Sequence, residues 1–134
     1  MLVTSIKQFT GLPYKTGGRG PEYYDCWGLV RLFYQEVFGI ELPLHAGMYF
    51  DGNTNNLHEE IVKRSVACEF EKVVDKKFGD ILLMRHYQHP VHAGIRISDT
   101  EFIHSVQNIG SVKTEEKRWR NKVEQYYRHK TLMD

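Results

Sequence analysis

The chain has 134 residues, 41% of them apolar and 26% charged, with 18 basic against 17 acidic side chains and a formal net charge of +1. That length suits one domain with a core of its own. The charge balance argues against a nucleic-acid or membrane-surface role, and no apolar run nears the roughly 20 residues that span a bilayer.

The first residues, Met1-Leu2-Val3-Thr4-Ser5-Ile6-Lys7, lack the charged start, apolar stretch and cleavage site of a secretory leader. A chain made in the cytoplasm is the expectation. Leu2, Ile6 and Phe9 share one side of a short helix predicted over residues 2–10. Gly11-Leu12-Pro13 ends it, and the glycine- and proline-rich run to residue 24 is a loop by backbone chemistry.

That loop leads into the stretch Asp25-Cys26-Trp27-Gly28-Leu29-Val30. Asp25 suits an N-cap, where its carboxylate takes a hydrogen bond from an otherwise unpaired first-turn N–H. Val30, Phe33, Tyr34 and Val37 follow at the spacing of a buried helical stripe, and Gly39 suits the C′ position. Cys26 therefore falls in the first turn, where the helix dipole and free N–H groups favour a thiolate. A small buried core residue is the other reading of such a cysteine.

After an irregular stretch to Asn53, Thr54 caps a predicted helix through about Val66. Residues 68–74 alternate loosely as a strand, with Cys68 in the core or half-buried. Lys77-Phe78-Gly79-Asp80 is a turn, Ile81 to Met84 a buried strand, and His86 to Pro90 a polar connection. Strands are predicted over Val91–Ile97 and Glu101–Val106, with further strands near Ser111–Lys113 and Val123–Arg128. Helices come first and strands after, which predicts an α+β fold of N-terminal helices packed on a small antiparallel sheet. A single domain over residues 1–134 is expected.

Seven histidines are present: His45, His58, His86, His89, His92, His104 and His129. If Ile97 pairs with Glu101 across a three-residue turn, even-numbered residues of both strands share a face, and His92 and His104 meet diagonally on it. With Cys26 they suit a Cys–His–His triad, His92 moving the proton and His104 fixing its tautomer. A pair of hydrogen-bonded structural histidines is the alternative. So is a zinc site of Cys26, His92 and His104, but no metal-ligand spacing such as HExxH accompanies them, so neither metal nor cofactor is expected. His86 and His89 are expected at the surface or site rim, and His45, His58 and His129 in surface contexts. Trp119, Tyr126 and Tyr127, set among basic residues, read either as a docking surface or as a strand packed on the core.

Several segments in order resemble the NlpC family of papain-like cell-wall cysteine peptidases. They are Gly11-Leu12-Pro13-Tyr14 with Gly17-Gly18, Asp25 to Val30, Gly39-Ile40-Glu41-Leu42-Pro43, Gly79-Asp80-Ile81-Leu82, His92-Ala93-Gly94-Ile95 and Phe102-Ile103-His104-Ser105. The resemblance implies a papain-like NlpC-type fold with Cys26 as nucleophile, His92 as base and His104 as orienting residue. It implies Tyr14 and the Cys26 N–H as oxyanion donors beside the Asp25 cap, and a peptidoglycan stem peptide as substrate. The usual bond joins γ-D-glutamate to diaminopimelate or lysine. Trp27, where many secreted members have serine, resembles the branch of phage tail-tip and tail-assembly peptidases. That branch implies other tail proteins as partners, a place at the virion tail tip and action on the cell wall. A structural tail module with little activity, and an acyltransferase using the same Cys–His–His site, are the competing expectations.

Overall fold

The computed structural model describes residues 6–44, 68–86 and 89–133. Its elements are a helix, α1 (Cys26–Phe33), and six strands: β1 (Phe70–Val73), β2 (Ile81–His86), β3 (His89–Arg96), β4 (Glu101–Val106), β5 (Gly110–Glu115) and β6 (Val123–His129). The strands form one antiparallel sheet in the order β1-β6-β2-β3-β4-β5. The architecture is the expected α+β, and its six strands fall at the six strand segments predicted from the sequence.

The apolar run Ile81-Leu82-Leu83-Met84 shows why β2 lies inside the sheet, since it is buried on both faces. Ile81 and Leu83 join Ala93, Ile95, Ile103, Phe70 and Tyr127 in the larger core cluster, which also takes Leu29, Val30, Phe33 and Tyr34 from the helix side. Each fully buried side chain of this kind contributes about 1.5–3 kcal/mol. Leu82 and Met84 face the other way, with Phe102, and are covered by Trp119, Val123 and Tyr126. The 3-10 segment Glu116–Lys122 brings Trp119 onto that second face.

The helical stripe ends as Gly39 demands. The backbone widens into a π-turn over Tyr34–Phe38 and stops at Gly39, whose φ of 66° is left-handed. The turn before β2 is tied down by charge. Asp80 accepts from Lys77 N at 2.7 Å and from Arg128 Nε and Nη2, each at 2.9 Å. This buried fork joins β6 to the start of β2.

Two sequence expectations are corrected. His129 is buried rather than superficial: as the last residue of β6 it pairs with Phe70 and packs on that ring at 5.0 Å, in alternation with the core residue Tyr127. Cys68 is exposed, because the core-directed strand starts only at Phe70. The N-terminal helix is a single 3-10 turn over Ile6–Phe9 within the described residues. The helix predicted over residues 54–66, together with His45 and His58, lies outside them.

Candidate active site

Asp25 starts α1 in the manner its position dictates. It is extended (φ −88°, ψ −170°), and Oδ1 accepts from Gly28 N at 2.7 Å. Its other oxygen pairs with Arg19. Both oxygens are committed, so the carboxylate fixes the helix start and holds the 11–24 loop to it. The same loop closes on Gly28: a Cβ there would lie 2.3 Å from the Gly18 carbonyl oxygen. A glycine inside a helix otherwise costs about 1 kcal/mol relative to alanine; here the close backbone approach requires it.

Cys26 is fully buried in the first turn of α1, in the same cluster as Ala93, Ile95 and Ile103. Trp27 is also buried, with its indole N–H donating to Pro43 O at 2.9 Å and its ring edge-on to Phe70. Two further contacts bind this helix start to the sheet and the loop. Ser105 Oγ, one residue past His104, donates to Tyr24 O at 2.8 Å, and Tyr24 N donates to Pro13 O at 2.9 Å.

The hairpin between β3 and β4 has the three-residue turn that brings the histidines together. Ile97 N donates to Glu101 O at 3.0 Å, and Ile95 and Arg96 pair with Ile103 and Phe102. His92 and His104 consequently share the face of Met84 and Phe102, opposite that of Ala93 and Ile103. Their rings meet through His92 Nε2 and His104 Nδ1 at 2.8 Å, and both are buried. His104 Nε2 lies 3.1 Å from Thr114 Oγ1 on β5. Trp119 covers the pair, edge-on to His104 with centroids 5.0 Å apart and 6.2 Å from His92. With both Nε2 of His92 and Nδ1 of His104 engaged in one bond, Nδ1 is the ring atom through which His92 can exchange a proton with a substrate or nucleophile.

Tyr14 follows Pro13 and is half-buried, in a shallow depression with Thr16, Gln107, Asn108, Ile109 and Gly110. Leu12 holds this segment to β5: its N–H donates to Ser111 Oγ at 2.8 Å, and its carbonyl accepts from Ser111 N at 3.0 Å. Among the described residues, no group of three or more His, Cys, Asp and Glu side chains is placed to hold a metal ion.

Sequence reasoning missed Thr114, because the predicted strand stopped at Lys113 while β5 runs to Glu115. It also read Trp119 only as docking surface or core strand, not as a neighbour of the histidines. Its basic neighbourhood carries no periodicity, and only the chain's return across the second sheet face brings the ring to the histidines. Tyr126 and Tyr127 lie in β6 and pack on the two core clusters from opposite faces of the sheet, as the core-strand reading of that segment expected.

The chain matches the NlpC/P60 family over residues 11–131. It belongs to that family. Over 111 residues it is 25% identical to murein DD-endopeptidase MepS/murein LD-carboxypeptidase of Escherichia coli K12, a stretch that covers 83% of this chain and 51% of that protein. A shorter stretch of 46 residues is 41% identical to the gamma-DL-glutamyl hydrolase of Bacillus subtilis 168, covering 34% of this chain and 11% of the hydrolase. In fold, the chain is similar to the crystal structure of the NlpC/p60 domain of the peptidoglycan hydrolase SagA, with a TM-score of 0.61, 20% identity and 91% of each chain covered. The chain spans about half the length of MepS.

Proposed function

We propose that this chain is a cysteine endopeptidase acting on peptidoglycan stem peptides, with Cys26 as nucleophile, His92 as general acid and base, and His104 as the orienting residue. The observation that carries it is the buried 2.8 Å bond between His92 Nε2 and His104 Nδ1, with β4 tied through Ser105 to Tyr24, the residue before the α1 cap. A ring held in this way presents its remaining nitrogen in a fixed direction, the arrangement that activates a thiol. The name of MepS, a murein endopeptidase, favours the same substrate class, and that of the gamma-DL-glutamyl hydrolase favours a γ-glutamyl bond.

The reaction runs in two halves. The Cys26 thiolate attacks the scissile carbonyl, with negative charge on the oxygen stabilised by the Cys26 N–H and the Tyr14 hydroxyl. The C–N bond breaks as His92 protonates the leaving amine, leaving a thioester on Cys26. A water molecule then gives a proton to His92 as its oxygen adds to the thioester carbonyl, and the C–S bond breaks, releasing the acid product and regenerating the Cys26 thiolate. The bond assigned is the amide between γ-D-glutamate and diaminopimelate or lysine. The test is digestion of purified peptidoglycan of both types, with mass spectrometry of the new ends. A free γ-D-glutamyl carboxyl and a matching new amine support the assignment, whereas cleavage elsewhere in the stem moves it. Products joined to an added amine in place of water would identify an acyltransferase.

We place this activity at a phage tail tip, aiding cell-wall penetration alongside other tail proteins. This placement rests on Trp27 and the sequence resemblance it carries. Detection of the chain in purified virions, with loss of infectivity in a Cys26→Ala phage, supports it. Virions that need the protein for assembly but not Cys26 would instead make it a structural module.

A further inference from the structure

The hydrogen-bonded chain does not stop at the third member of the triad. His92 Nε2 meets His104 Nδ1 at 2.8 Å, and His104 Nε2 meets Thr114 Oγ1 at 3.1 Å. Two polarities are open to such a chain. In one, Thr114 Oγ accepts a proton-bearing His104 Nε2, so His104 Nδ1 is an acceptor, His92 Nε2–H donates to it, and the lone pair of His92 is at Nδ1. In the other, the Thr114 hydroxyl donates to His104 Nε2, every bond reverses, and His92 Nδ1 carries a hydrogen. Only the first gives a neutral His92 able to take a thiol proton at Nδ1. It also lets the imidazolium of His92 keep an acceptor at Nε2.

We propose that Thr114 is a positioning residue for this site, accepting from His104 Nε2–H and thereby setting the polarity that leaves His92 basic at Nδ1. This rests on the cysteine-peptidase reading above. Three features favour it. Thr114 sits directly opposite Phe102 in the β4–β5 ladder, so its side chain lies on the imidazole face by register. Its backbone is held by that ladder, which fixes where Oγ can go. Trp119 and Phe102 pack on the His104 ring and limit its rotation, with centroids at 5.0 and 4.7 Å.

The test compares wild type with Thr114→Val, which keeps the shape and removes the acceptor, and Thr114→Ser, which keeps the acceptor. Thermal unfolding checks that each is folded, and Thr114→Ala replaces the valine variant if that one is not. The first readout is hydrolysis of a soluble stem-peptide muropeptide. Thr114→Val is expected to lose about tenfold or more in kcat with KM little changed, the scale of losing a hydrogen bond that fixes a ring tautomer. Thr114→Ser is expected to stay near wild type. The second readout is independent of activity: nitrogen-15 chemical shifts of labelled histidine at neutral pH. His104 is expected to carry its proton on Nε2 in wild type and Thr114→Ser, and to move it to Nδ1 in Thr114→Val. Wild-type kcat in Thr114→Val, equal impairment in Thr114→Ser, or an unmoved His104 proton in Thr114→Val each overturns the assignment. Full turnover in a folded Cys26→Ala protein would instead remove the peptidase reading itself, whatever the nitrogen shifts show.

Discussion

Ser105 Oγ donates to Tyr24 O at 2.8 Å, joining the strand residue beside His104 to the residue just before the α1 cap. The bond is fully buried on the Ser105 side and links positions far apart in sequence. It fixes the start of the helix that carries Cys26 relative to the strand that carries His104. Ser105→Ala strands the Tyr24 carbonyl and is expected to cost about 1–2 kcal/mol in urea unfolding. Muropeptide hydrolysis should fall further than that loss of folded protein accounts for, because the two halves of the site lose their tie. Unchanged specific activity of the folded variant would separate the bond from catalysis.

The two oxygens of Asp25 do different things, and substitutions can separate them. Asp25→Ala removes both the cap on Gly28 N and the partner of Arg19, whose side chain is only 11% exposed. The expected loss is about 2–4 kcal/mol. Asp25→Asn retains a capping oxygen and loses only the charge pairing, so it should fall between Asp25→Ala and wild type in denaturant midpoint. Equal midpoints for the two variants would show that the cap contributes nothing beyond the ion pair.

Burial, with Asp80 nearby, pushes the Tyr34 phenol well above the ordinary tyrosine range. Its hydroxyl donates to the Gly79 carbonyl. A folded-state value raised above the unfolded one gives stability that is complete below the unfolded value of about 10 and is lost as pH rises beyond it. Alkaline unfolding should therefore steepen above about pH 10 by up to ~1.4 kcal/mol per pH unit from this group alone. Tyr34→Phe should be about 1–2 kcal/mol less stable at neutral pH, through the stranded carbonyl, and lose that part of the alkaline slope. Stability curves against pH for the two proteins check both halves.

Much of this site was legible because it is built from short-range patterns. The helix start declares itself through Asp25 and the stripe behind it, and the histidine pairing follows from one hairpin register, Ile97 to Glu101. What was not legible depends on chain return. Trp119 and Thr114 reach His104 only because β5 extends to Glu115 and the following 3-10 segment crosses the second sheet face. His129 looked superficial by its basic neighbours, yet pairing with Phe70 carried it into the core. The need for glycine at position 28 was not legible either, since only the folded loop brings the Gly18 carbonyl against it.

The central claim is that Cys26 does the chemistry, and release of stem-peptide fragments from purified peptidoglycan tests it most directly. Wild type, Cys26→Ala and the exposed-thiol control Cys68→Ser should be compared as folded proteins. Wild type and Cys68→Ser are expected to release the same fragments at similar rates, and Cys26→Ala none. A folded Cys26→Ala protein that releases them at the wild-type rate would contradict the account.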